Sequence, residues 1–151
     1  MKLVHNITAA LGVAALIPAA AIADSWSPID AQEVTPAFSA DGAVNSITYT
    51  ALDSAEKAWN LCVSFPHMKD AYWLGVDYGV IDEAKRLGVN LNVVEAGGYT
   101  ELSRQISQIE DCVSGGADAV IIGAISAEGL NNVIAEVAGK GIPVIDLVNG
   151  I

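Results

Sequence analysis

The stretch LCVSFPHMKDAYWLGVDYGVIDEAKRLGVNLNVVEAGGY, residues 61–99, decides the fold. It opens with the short apolar run Leu61–Phe65, which predicts a strand. Apolar residues then recur at helical spacing over residues 70–87, and Gly88 is a helix stop. A second apolar run, Leu91–Val94, predicts another strand. A strand, a helix and a strand in this order predict a right-handed unit with parallel strands.

The same alternation continues downstream. A helix with an apolar stripe follows, for which Thr100 is the expected N-cap. Ala119–Ile122 predicts a third strand, Ser126 caps a third helix, and Pro143–Val148 predicts a fourth strand. We therefore predict an α/β fold, a Rossmann-like parallel sheet of strand order 2-1-3-4 with helices on both faces.

Upstream, residues 24–56 show no long stretch of periodic apolar residues, because prolines, Asp41–Gly42 and scattered Ser and Thr interrupt the pattern. Ser46–Thr50 alternates weakly, like a short edge strand. We interpret residues 24–56 as an N-terminal extension lying on the surface, and residues 57–151 as the α/β lobe.

The first 23 residues are typical of a secretory signal peptide. Lys2 precedes the apolar stretch Ile7–Ala20, and Ala21–Ala23 fits the small-x-small pattern that a signal peptidase cleaves, here before Asp24. The alternative is an uncleaved anchor, but the apolar run is short for a bilayer span. This pattern predicts a periplasmic protein.

Charge and cysteines narrow the function classes. The formal net charge of −11 disfavours nucleic acid and anionic membranes as partners. The predicted strand order carries the second helix over the first strand, and so brings Cys112 over Cys62. In an oxidising compartment these residues are expected to form a disulfide, the alternative being two small buried thiols.

Enzyme signatures are mostly absent. The loop after the first strand has no glycine, so it cannot cradle a pyrophosphate, and neither a P-loop nor a G-x-S-x-G motif occurs. His67 is the sole histidine after the signal peptide, which excludes a multi-histidine metal site in this lobe. We interpret His67 as a surface loop residue and predict a non-enzymatic protein without metal or cofactor.

Ligands of such sheets bind beyond the carboxyl ends of the strands. Trp73 and Tyr99 follow two neighbouring strand ends and could line one cleft that takes either a sugar or a methylammonium group. The alternative is that Trp73 continues the buried helix stripe and Tyr99 is turn surface. Asp70 either caps the helix or faces the cleft. The candidate segments are 65–72, 95–99, 123–126 and 146–149.

Three runs carry a family resemblance: Ala58–Leu74, Gly88–Tyr99 with its motif EAGGY, and Pro143–Ile151. They resemble the TorT family within the type 1 periplasmic binding proteins. The resemblance implies that this chain is the N-terminal lobe of a two-lobed protein. It also implies that the second lobe would follow Ile151, so that the chain is a fragment that binds ligand weakly by itself.

The resemblance further implies a function. Trimethylamine N-oxide would bind between the lobes in an aromatic cage, with Trp73 and Tyr99 as walls, Asp70 as a polar contact and Tyr72 adjoining it. A membrane sensor histidine kinase of the TorS type would be the partner, and a homodimer is also implied. The alternative function is the sugar-binding component of an ABC importer.

Overall fold

The structure is a computed structural model that describes residues 26–36 and 41–150. The predicted signal peptide, residues 1–23, lies outside the described residues. In the part of the chain that is described, no helix is long and apolar enough to cross a membrane.

Six strands and three helices make up the described chain. In chain order they are β1 (Ile29–Thr35), β2 (Ala43–Tyr49), β3 (Asn60–Phe65), α1 (Ala71–Leu87), β4 (Asn90–Glu95), α2 (Leu102–Ser114), β5 (Ala119–Ile122), α3 (Ala127–Gly139) and β6 (Val144–Asp146).

Strands β3 to β6 form one parallel sheet of order β4-β3-β5-β6. This is the predicted order 2-1-3-4, and the α/β prediction is confirmed. The chain adds β4 on one side of β3 and then crosses to the other side for β5 and β6. Because of this reversal, the chain leaves the neighbouring strands β3 and β5 in opposite directions, and the crevice between their loops is where open sheets bind ligands.

Both faces of the sheet are covered, as predicted. Cys62 on β3 belongs to an apolar cluster with α2 and α3, in which Ile109 and Leu130 are fully buried. Val63 and Phe65 pack on the opposite face against α1, through Trp73. The central strand β3 is thus buried on both sides, which explains its continuous apolar run.

Two of the three expected helix caps form. The Asp70 side chain accepts a hydrogen bond from the Trp73 amide at 3.0 Å, and Ser126 accepts one from the Gly129 amide at 3.1 Å. The prediction for Thr100 is wrong. Glu101 occupies the N-cap position of α2, and the Thr100 hydroxyl lies 3.1 Å from the Glu101 carboxylate, to which it donates. The turn from residue 98 closes on the Glu101 amide, so the helix starts one residue later than expected.

The weakly alternating segment 46–50 falls in β2 up to Tyr49, and its partner is β1 rather than the four-stranded sheet. The two strands form an antiparallel hairpin whose residues are almost all exposed. A few contacts connect this region to α1. Arg86 donates to the Leu52 carbonyl at 2.7 Å, and the Ala55 amide donates to the Leu87 carbonyl at 3.2 Å.

Arg86 also holds Glu83 on the same helix. The hydrogen bond from its guanidinium, together with the attraction of its charge, keeps the pKa of Glu83 below its ordinary value. The stabilisation that this pair contributes is therefore present above the ordinary carboxyl range and is lost as the pH falls through the lowered pKa.

Cys62 and Cys112 form a disulfide with a Cα–Cα distance of 6.1 Å. The bond joins β3 to α2 within the apolar cluster on that face of the sheet. It closes a loop with a sequence separation of 50 residues.

Candidate functional site

The carboxyl ends of the parallel strands form a rim, defined here as residues 66–73, 96–101, 123–126 and 147–149. Backbone hydrogen bonds hold its segments together. The Gly98 amide donates to the Pro66 carbonyl at 2.8 Å, and the Leu147 amide donates to the Ile122 carbonyl at 2.9 Å. The Lys69 ammonium also donates to the Gly97 carbonyl. The loops after β3 and β4 therefore behave as one joined surface.

Trp73 and Tyr99 meet at this rim, but one lies beneath the other. Trp73 is 2% exposed and packs against Phe65, whereas Tyr99 is 50% exposed. The indole Nε1 donates to the Tyr99 hydroxyl at 3.3 Å. The expectation of two open aromatic walls needs this correction: in the lobe, Tyr99 presents its ring to solvent, while Trp73 belongs to the buried stripe and supports Tyr99 from below.

The Asp70 carboxylate can cap α1 and still present an oxygen to the rim, the two roles expected from its position in the sequence. One carboxylate oxygen caps α1, and the other lies 3.9 Å from Nε2 of His67. About half of the side chain remains exposed. Tyr72 is exposed and meets the Trp73 ring edge-on, with the centroids 5.6 Å apart. Asp70, Tyr72 and Tyr99 thus each contact Trp73, and these four residues are called the patch below.

His67 is not the surface residue that was expected. It is 9% exposed, and its ring meets Tyr99 edge-on with a centroid distance of 5.2 Å. Its Nδ1 accepts a hydrogen bond from the Lys69 amide at 3.2 Å, and its Nε2 lies on the side of Asp70. Contact with Tyr99, which is distant in sequence, buries this histidine, and no local pattern indicates it.

The side chain of Asn149 joins two of the rim loops. Asn149 donates from Nδ2 to the Ala124 carbonyl at 2.8 Å and to the Tyr99 hydroxyl at 3.3 Å. Asn149 was within the segments marked as candidates, but nothing in the sequence assigned it a partner.

Gln105 is the residue that sequence reasoning missed. It is fully buried, donates to the Gly123 carbonyl at 2.9 Å and to the Ser64 hydroxyl at 3.2 Å, and accepts from the Ile125 amide at 2.9 Å. A glutamine at position i+3 from Leu102 on the apolar face of α2 was the available clue.

The rim therefore offers two exposed aromatic rings, those of Tyr72 and Tyr99, and a carboxylate, that of Asp70, with one oxygen outside the helix cap. Hydrogen-bond donors such as the Lys69 ammonium lie beside them. Among residues 26–36 and 41–150, no group of three His, Cys, Asp or Glu side chains is placed to hold a metal ion. Such a surface can bind a small polar or cationic molecule by stacking and hydrogen bonding.

Residues 61–150 match the family described as periplasmic binding protein domain. The chain belongs to this family. The architecture described above is the type 1 fold of the periplasmic binding proteins. The relatives are ligand-binding proteins rather than enzymes, and the family indicates a periplasmic location.

Three similar proteins bear on the function of this periplasmic binding protein domain. The periplasmic protein TorT of Escherichia coli K12 is 40% identical over 123 residues, which cover 77% of this chain and 35% of TorT. A solved TorS sensor domain–TorT complex in the presence of TMAO matches with 41% identity and a TM-score of 0.58, covering 62% of this chain and 31% of that chain.

The third is an ABC transporter solute-binding protein from Bradyrhizobium sp. BTAi1, solved with bound Bis-Tris. It is 70% identical, with a TM-score of 0.81, over 83% of this chain and 38% of that chain. The chain thus spans little more than a third of the length of the relatives that it matches.

Proposed function

We propose that this lobe belongs to a periplasmic binding protein that binds trimethylamine N-oxide at the rim and signals to a sensor histidine kinase of the TorS type. The observation that carries the proposal is the patch of Asp70, Tyr72 and Tyr99, with Trp73 beneath it. The identity with TorT, and the TorT structure solved with TorS and TMAO, support it.

The chemistry of the patch fits a trimethylammonium group. Its polarised C–H groups are attracted to the face of an aromatic ring, by roughly 0.5 to 2 kcal/mol for each ring. Tyr99 and Tyr72 are the exposed rings, and the free oxygen of Asp70 adds a negative charge beside them. The N-oxide oxygen requires a donor, which the Tyr72 hydroxyl or the Lys69 ammonium can supply.

The lobe supplies only one side of such a site. Tyr99 is half-exposed, so a ligand on its outer face would remain largely in water. A second lobe facing the rim would provide the remaining contacts and exclude that water. For this reason we propose that the lobe alone binds trimethylamine N-oxide weakly.

A second candidate is the sugar-binding component of an ABC importer. The 70% identity with the Bradyrhizobium solute-binding protein favours it. Sugars stack on exposed tyrosine rings and use the same polar donors. Bis-Tris is a hydroxyl-rich tertiary amine, and its presence in that protein is compatible with either ligand class.

Titration of the complete mature protein with trimethylamine N-oxide and with ribose, by calorimetry, separates the two candidates. We expect saturable binding of trimethylamine N-oxide, weakened about two- to thirtyfold by Tyr99→Ala because one ring is lost. Tyr78→Ala is the matched control, since Tyr78 is also an exposed tyrosine but lies on α1, away from the rim. Binding of ribose without binding of trimethylamine N-oxide would favour the importer instead.

A further inference from the structure

The segment that follows β6 is tied to the proposed ligand-binding ring by one side chain. The Asn149 amide donates both to the Ala124 carbonyl, in the loop after β5, and to the Tyr99 hydroxyl, in the loop after β4. The Tyr99 hydroxyl also accepts from the Trp73 indole. A phenol oxygen can accept two hydrogen bonds, so these two donors together fix its direction.

The residue before Asn149 has a strained backbone. Val148 has φ of 75°, in the left-handed region, and it is the non-glycine residue with positive φ among those described. A β-branched side chain there is a true outlier. The Asn149 amide nitrogen lies 2.9 Å from the Leu147 carbonyl, to which it donates, so Val148 is the centre of a γ-turn with positive φ, a rare and strained form.

Burial does not compensate this strain, because Val148 is 52% exposed. Its neighbours hold the turn instead. Leu147 is fixed by its hydrogen bond to the end of β5, and Asn149 is fixed by Ala124 and Tyr99. If the Asn149 side chain left both Ala124 and Tyr99, nothing would oppose the return of Val148 to a relaxed conformation. A turn held in this way would have two arrangements, one strained and anchored, the other relaxed and free.

We propose that Asn149 is a positioning residue for Tyr99, and that the Val148 turn couples the direction of the Tyr99 ring to the conformation of residues 147–150. The proposal rests on the proposed function only in taking Tyr99 as the ring that meets the ligand. Because coupling between two equilibria is reciprocal, a ligand that prefers the anchored ring favours the strained turn, and a change in the turn alters ligand affinity.

The Trp73 indole N–H reports on this link without any ligand. In a nitrogen-15 spectrum of the complete mature protein, Trp73→Phe identifies its resonance among those of the tryptophans. Asn149→Asp keeps the shape but removes the N–H donor, and Asn149→Ala removes the side chain. We expect both variants to shift the Trp73 indole resonance, because the hydroxyl that accepts from it loses its second partner. In a Tyr99→Phe background, the same Asn149 changes should have no further effect on this resonance.

Ligand-binding measurements on the same variants test the coupling between the Val148 turn and the Tyr99 ring. We expect Asn149→Asp to weaken binding of trimethylamine N-oxide about three- to tenfold, and Val148→Gly to strengthen it up to about tenfold because glycine adopts positive φ without strain. An unchanged Trp73 resonance in both Asn149 variants would overturn the positioning role. So would an equal shift in the Tyr99→Phe background. If the resonance shifts as expected but trimethylamine N-oxide does not bind, the link between Asn149 and Tyr99 stands and the proposed ligand fails.

Discussion

Trp73 can lie under Tyr99 because Gly123 leaves space for the indole. A Cβ atom at Gly123 would stand 2.7 Å from Cη2 and 2.9 Å from Cζ3 of Trp73, closer than such atoms can approach. The indole cannot retreat, since Phe65 packs against it. The position of Tyr99 thus depends on a glycine in the loop after β5, whereas Trp73 lies on α1 and Tyr99 in the loop after β4.

Gly123→Ala should therefore destabilise the lobe and disturb the rim together. We expect a loss of about 1–3 kcal/mol in the free energy of unfolding, the usual cost of overpacking, measured by urea denaturation. Gly139→Ala is the matched control, because a Cβ at Gly139 would meet no atom within 4 Å. Equal stability of the two variants would show that Trp73 is not confined as described.

For the residues of the rim, the sequence predicts which side chains lie close together but not which of them are buried. The proximity of Asp70, Trp73 and Tyr99 was predictable, because all three follow the ends of neighbouring parallel strands. Whether Trp73 is exposed or buried was not, since a ring at the start of a helix stripe satisfies both patterns. The burial of His67 depends on Tyr99, a contact that only the folded sheet creates.

Among the elements, α1 has an N-cap residue, Asp70, that also belongs to the proposed ligand site. Asp70 uses one oxygen for the Trp73 amide and leaves the other free. Asparagine caps helices about as well as aspartate but carries no charge. This similarity allows the two roles of Asp70 to be measured separately.

Asp70→Ala should cost about 1 kcal/mol in the free energy of unfolding, because α1 loses its cap. Asp70→Asn should cost clearly less, yet weaken binding of trimethylamine N-oxide roughly two- to fivefold, as expected when a partly exposed charge beside a cationic group is removed. Urea denaturation and calorimetry on the complete mature protein measure the two effects. Equal ligand affinity of Asp70→Asn and the native protein would leave the residue with its capping role only.

Elements that bury one or both faces were predictable, and those that bury neither were not. The elements from β3 to β6 leave apolar runs or helical stripes in the sequence, and their order follows from short right-handed connections. The β1–β2 hairpin is exposed on both faces, so alternation is faint and β1 left no recognisable pattern. The start of α2 was misplaced by one residue, a common error where two capping candidates adjoin.

At the scale of the whole lobe, the reversal in strand order has two effects. It opens the rim between β3 and β5, and it carries α2 back over β3, where Cys112 meets Cys62. The disulfide is part of the apolar cluster that includes Ile109 and Leu130. The same crossover thus accounts for both the candidate ligand-binding edge and the disulfide.

Removal of the disulfide should lower stability substantially. With a separation of 50 residues, the chain-entropy account gives about 4 kcal/mol for the bond. We expect the double variant Cys62→Ala with Cys112→Ala to lose about this much free energy of unfolding. The native protein in a thiol reductant is the matched comparison, and the double variant should not respond to the reductant. A native protein whose thiols titrate as free, or whose midpoint is the same with and without reductant, would contradict the pairing.

The Cys62–Cys112 bond also determines when, after synthesis, the polypeptide reaches its final crosslinked state. A ribosome in a reducing cytosol makes the chain with two thiols, and the link between β3 and α2 can close only after the chain enters an oxidising compartment. The newly made chain is therefore less constrained than the mature one. This difference fits the export through a signal peptide that the sequence predicts. It also means that a recombinant host should deliver the protein to its periplasm, because material harvested from cytosol would lack the crosslink.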